Sequence, residues 1–117
     1  MTGISTHVLD TANGRPAANV KIEVLALEPG QAPRLLSAAV TNADGRTDAL
    51  LVPAEQLKTG IYEIVFHIGD YFALGGGQSD PPYLTTVPIR VGIANAGAHY
   101  HVALLVSPWS YTTYRGS

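Results

Sequence analysis

Hydrophobic and polar residues alternate along this chain in short runs, and Gly, Pro, Asn and Asp break the runs at close intervals. Alternation with a period of two marks a strand with one buried face, because successive side chains point to opposite sides of the pleat. Residues 4–9 open the series, with Ile4, Thr6 and Val8 on one face and Ser5, His7 and Leu9 on the other. Asn13-Gly14 is a turn signal. Residues 20–27 and 35–41 read as strands separated by EPGQAPR, and residues 42–45 make a second turn with Arg46 at its exit. In residues 61–68, Tyr62, Ile64, Phe66 and Ile68 share the core face; Glu63 and His67 share the other, where a surface ion pair accounts for both. Residues 87–94, 99–106 and 110–115 complete a set of seven or eight strands, the pattern of an all-β sandwich. One helix is predicted, over 53–58, with Pro at its start and Gly60 just past its end. The stretch ALGGGQSDPPYLTT, residues 73–86, reads as an exposed loop.

At 117 residues the chain suits a single domain, 1–117. Charged residues are only 14% of it, against about 25% in ordinary soluble domains. So little charge predicts that part of the surface is covered by another chain. The formal net charge is −2 and no Lys or Arg cluster is present, which argues against nucleic acid or a membrane surface as partner. With no cysteine, disulfides, thiolate metal sites and a thiol nucleophile are excluded. The start, MTGISTHVLD, has no basic region followed by an apolar run, so a cytoplasmic protein is expected.

Candidate chemistry concentrates at the carboxyl end, HYHVALLVSPWSYTTYRGS. On a strand, His99 and His101 share a face with Ala103 and Leu105, while Tyr100, Val102, Leu104 and Val106 take the opposite one. Adjacent imidazoles can bind a ligand or transfer protons, but spacing by itself favours solvated strand histidines. A metal site would need a third ligand, and no spacing singles out His7 or His67, so no metal is expected. Residues 75–77 lack the spacing of a phosphate-binding loop, and no serine sits in a nucleophile elbow.

Three separated strings, ISTHVLDTANGRPA (4–17), TNADGR (41–46) and HYHVALLVSPWSYTTYRGS (99–117), together closely resemble the transthyretin-related 5-hydroxyisourate hydrolases of purine catabolism, and LKTGIYEIVF (57–66) agrees. The resemblance spans nearly the whole chain. It implies a transthyretin-like β-sandwich of two four-stranded sheets with one short helix, assembled as a homotetramer with active sites at the dimer–dimer interface. It implies a cofactor-free hydrolase of 5-hydroxyisourate in which His7, Arg46 and His101 are catalytic. Substrate binding falls to His7 and Arg46 together with the terminal Tyr114, Arg115, Gly116 and Ser117, a tail whose removal is expected to spare the sheet. Ala103, Trp109-Ser110 and Thr112-Thr113 depart from the usual enzyme strings without touching that set. The carrier branch of the same family resembles the chain in the HVLD and SPWSYT regions, but has lysine, glutamate and threonine where this chain has His7, Arg46 and His101.

Overall fold

The computed structural model describes residues 2–76 and 78–117; Gly77, the last of the three glycines read as loop, lies outside them. Nine strands follow in chain order: β1 (Gly3–Asp10), β2 (Arg15–Pro16), β3 (Lys21–Leu27), β4 (Arg34–Val40), β5 (Val52–Pro53), β6 (Gly60–Phe66), β7 (Val87–Ile93), β8 (His99–Val106) and β9 (Tyr111–Gly116), with one helix, α1 (Ile68–Ala73), between β6 and β7. The seven longer strands are the ones the alternation predicts.

One sheet runs β2-β1-β8-β9, with β5 paired to the start of β1; the other runs β4-β3-β6-β7. The second is four-stranded as expected, and the first gains a fifth strand only through the two-residue β5. All pairings are antiparallel except β1 with β8, which is parallel and in register over eight residues from Gly3↔His99 to Asp10↔Val106.

The core forms where the apolar faces of the two sheets meet. Ile4, Val8 and Leu104 from one side and Ile22, Val24, Ile64 and Phe66 from the other are fully buried, each contributing about 1.5–3 kcal/mol relative to exposure. Ser5, His7 and Leu9 stay half-buried on the outer face of β1, as alternation requires.

Helix placement departs from expectation. Pro53 ends β5, and only a 3-10 turn, Ala54–Gln56, follows. The α-helix instead begins at Ile68, which the period of two had assigned to the end of β6. Ile68 is buried either way, but Gly69 lets the helix approach the loop before β7: its N–H donates to Thr85 O at 2.8 Å, and a Cβ there would meet that oxygen at the same 2.8 Å. Six residues are too few to display a 3.6-residue period. The helix then ties the sheets together, because the Tyr71 hydroxyl donates to the buried carboxylate of Asp10 at 2.7 Å. Burial pushes that carboxyl up, but hydrogen bonds from Asn13, Tyr71 and Ala12 outweigh burial and hold it below its ordinary value.

The ion pair expected between Glu63 and His67 is not formed. His67 Nε2 lies 2.6 Å from Glu23 Oε1 on β3, and Glu63 instead accepts from Arg90 on β7 at 2.9 Å. Cross-strand neighbours lie closer than residues four apart along one strand, so each carboxylate finds its partner on the next strand.

The turn before Arg46 is seated on β1 by backbone contact. Val8 N–H donates to Gly45 O at 2.8 Å. Gly45 has φ +74°, and a Cβ there would overlap Val8 O. We therefore expect Gly45→Ala to cost about 1–3 kcal/mol, read as a lowered midpoint of thermal or urea unfolding. Wild-type stability would mean that the turn is not held against β1 in this way.

Candidate active site

The parallel register places Ser5 opposite His101 and His7 opposite Ala103, so Ser5, His7, His99 and His101 all project from the outer face of one sheet. On the far side of β8, Gly116 pairs with His101 and Tyr114 with Ala103. The segment after the 42–45 turn covers one edge of this face. Together they bound an open groove of about 770 Å³ whose lining includes Ser5, Arg46, Asp48, His99, His101 and Ser117.

Arg46, His101 and Ser117 are thus brought together as the sequence implies. His7 stands beside them, held to the same turn: its Nε2 lies 2.8 Å from Asp44 O. A carbonyl only accepts, so Nε2 carries the hydrogen, and the neutral ring keeps a bare lone pair on Nδ1. Tyr114 shares the sheet face with His101 but sits one alternation further along, 56% exposed, and does not line the groove. Arg115 takes the other face of β9. Its guanidinium lies 4.1 Å from the centroid of the Tyr100 ring and donates to His99 O at 3.0 Å, a cation–π contact that pins the end of β9.

The backbone, rather than a side chain, contributes at Gly116. A Cβ added there would overlap the His101 ring, so the imidazole occupies the space that a side chain at 116 would need. Because β9 extends to Gly116, the terminal tetrapeptide is no frayed tail. Removing 114–117 would delete the Tyr114, Arg115 and Gly116 pairings with β8, so the expectation that the sheet survives this loss does not hold.

Burial, and then the charge of Arg46 with His7 and His99 nearby, hold the His101 imidazole below its ordinary value of 6.5. The ring is therefore neutral at neutral pH. Since the folded chain takes up this proton less readily than the unfolded chain, acidification below about 6.5 favours unfolding and also converts the ring to its charged form as pH falls through the lowered value. Among the described residues, no three His, Asp or Glu side chains converge to hold a metal ion.

The profile of the HIUase/Transthyretin family matches residues 4–116. The chain belongs to that family. It is 53% identical over 115 residues to 5-hydroxyisourate hydrolase 2 of Rhizobium meliloti, covering 97% of this chain and 95% of that one. Among solved structures it superposes on 5-hydroxyisourate hydrolase of Klebsiella pneumoniae with a TM-score of 0.78 at 34% identity, covering 97% and 98% of the two chains. It also superposes on transthyretin of Sparus aurata with a TM-score of 0.88 at 26% identity, covering 99% and 97%. The two-sheet architecture with one short helix is that of the family.

Residue-by-residue reading missed Ser5, whose hydroxyl lies within hydrogen-bonding distance of both His99 and His101. Its position two residues before His7 on the same face was visible, but its meeting with His101 depends on the β1–β8 pairing. The groove also makes a prediction about Gly116. Gly116→Ala should leave the β-sheet circular dichroism intact and push the His101 ring aside, lowering turnover by about 10²-fold, the usual cost of misplacing a reacting group by about 1 Å. Unchanged turnover would show that the ring does not need that surface.

Proposed function

We propose that the chain hydrolyses 5-hydroxyisourate to 2-oxo-4-hydroxy-4-carboxy-5-ureidoimidazoline, a step in urate breakdown, acting without a cofactor. The observation that carries this reading is the convergence of His101 and Arg46 on one groove, with His7 anchored to the adjoining turn, in a chain 53% identical to a hydrolase of that name. Water attacks a carbonyl carbon of the six-membered ring, the carbon–nitrogen bond breaks, and the departing nitrogen gains a proton. Imidazoles suit both proton transfers, the one from water and the one to the departing nitrogen, and His7 and His101 share them. Arg46, permanently cationic and forked, holds the substrate oxygens and stabilises the charge that develops on the attacked carbonyl. Gly116 and Ser117 border the ring of His101, whereas Tyr114 and Arg115 act from outside the groove, Arg115 by holding the end of β9 against Tyr100.

The working form is a homotetramer with its sites at the dimer–dimer interface. Supporting this are the low charge content of 14% and the exposed aromatic residues Trp109, Tyr111 and Tyr114 beside or on β9, 62%, 43% and 56% accessible. No helix of the described residues is long and apolar enough to cross a membrane, and the reading places the enzyme in the cytoplasm.

The alternative is a small-molecule carrier, which the likeness to a transthyretin favours. Against it stand His7, Arg46 and His101, where the carrier branch has lysine, glutamate and threonine. Freshly generated 5-hydroxyisourate decides between them. We expect its ultraviolet absorbance to decay far faster with the protein than without it, whereas a carrier leaves the spontaneous rate unaltered. His101→Ala should lower turnover by about 10² to 10⁴, and near-normal turnover would remove that ring from the mechanism. Exhaustive chelation should leave the rate unchanged; a loss restored by one added metal would overturn the cofactor-free reading.

A further inference from the structure

One hydroxyl stands between two imidazoles. Ser5 Oγ lies 2.8 Å from His99 Nε2 and 2.7 Å from His101 Nδ1. A hydroxyl carries one hydrogen and two lone pairs; among the described residues Ser5 Oγ has no partner besides these two rings, so its hydrogen goes to one ring and it accepts from the other. Two arrangements are possible. In one, His99 Nε2–H donates to Ser5, and Ser5 donates to His101 Nδ1. In the other both bonds are reversed, and the neutral His99 ring must keep its proton on Nδ1.

The surroundings of His99 choose between them. Its Nδ1 is buried and, among the described residues, has no hydrogen-bond partner. A buried N–H stranded without an acceptor is rarer and costlier than a bare lone pair. The proton of His99 therefore belongs on Nε2, and the chain of bonds runs from His99 through Ser5 to His101.

We propose that Ser5, anchored by His99, is a positioning residue for the hydrolysis: it holds the proton of His101 on Nε2 and keeps Nδ1 as an acceptor, so that the ring offers an N–H donor beside Arg46. This rests on the hydrolase reading above and assigns a function within it to two residues outside the catalytic set. A neutral imidazole that holds its proton on Nε2 can give it to the departing nitrogen, which is the share of the transfers that falls to His101, while the free Nδ1 of His7 takes the proton from water.

The same chain of bonds resists protonation of His101. A proton arriving on Nδ1 turns the Ser5 hydroxyl off that ring: its hydrogen either loses its acceptor or points at His99, whose own proton must then move onto the buried, unpartnered Nδ1. This resistance acts in the same direction as burial and the nearby charge. The titratable and charged groups on the elements around His101 are His7 from β1, His99 from β8, Tyr114 from β9, and Arg46 and Asp48 from the segment after the 42–45 turn. Ser5→Ala alters none of them.

The test compares Ser5→Ala with Ser5→Thr, which keeps the hydroxyl, after circular dichroism has verified both folds. Ser5→Ala should lower kcat by about tenfold with KM changed less than about threefold. It should also move the acid limb of kcat/KM upward by about one pH unit, because charging the ring no longer strands a hydrogen on Ser5 or His99. Ser5→Thr should return both toward wild type. In the substrate-free protein, nuclear magnetic resonance titration of 15N-labelled histidine should show His101 titrating at higher pH in Ser5→Ala than in wild type. An unchanged His101 titration in Ser5→Ala, or a Ser5→Thr variant no closer to wild type than Ser5→Ala, overturns the proposal. Should the wild-type protein leave 5-hydroxyisourate untouched, the hydrolase reading fails, and the titration still decides the arrangement at Ser5.

Discussion

The parallel pairing of β1 with β8 is the interaction on which the site depends. It joins residues more than ninety positions apart in sequence, Ser5 to His101 and His7 to Ala103, in one uninterrupted register. Side chains alternate with a period of two, so a slip of one residue would send Ser5 and His7 into the core and bring Ile4, Thr6 and Val8 to the groove. The apolar face of β1 prevents that slip. Ile4 and Val8 are fully buried, and Thr6, 2% exposed, satisfies its hydroxyl by donating to Val102 O across the same pair of strands at 2.7 Å. The energy that fixes the reactive face is thus supplied by the opposite one.

Close backbone approach then brings the remaining groups to that face. Gly45 places the turn carrying Arg46 on β1, and Gly116 lays β9 under the His101 ring; at both positions a Cβ has no room. His7 closes the arrangement by donating to Asp44 O from the neighbouring strand position. An arginine at the exit of a turn is ordinarily solvated and mobile. Here its backbone is restrained on both sides, since Arg46 N–H donates to Asn42 Oδ1 at 3.3 Å and Asn42 N–H donates to Arg46 O at 2.7 Å.

The electrostatics of the groove follow from what the sheet places there. Four basic or titratable side chains, His7, Arg46, His99 and His101, meet on one surface, and their mutual repulsion adds to burial in keeping His101 neutral. Glu23 and Glu63 are engaged with His67 and Arg90 on the other sheet, away from the groove. A cation beside a neutral imidazole donor suits an oxygen-rich, electron-poor ring.

Local periodicity determined much of this protein. The seven longer strands, the inward and outward faces of β1, β6 and β8, and the turn that precedes Arg46 were legible because each depends on residues within a few positions of one another. The strings carrying His7, Arg46, His101 and the terminal residues were legible too, through resemblance to a family. Short elements without a full period were not: α1 is six residues long, β5 is two, and both replaced what propensity alone suggested. Long-range pairing also stayed hidden, which is why His67 was matched to Glu63 instead of Glu23. Tertiary structure alone decided that Ser5 stands between His99 and His101, that Gly116 lies beneath the ring, and that Arg115 turns away to stack on Tyr100. The physical reason is the same in each case: a strand's sequence states which face a residue takes, whereas its neighbour on that face is set by which strands pair and in what register.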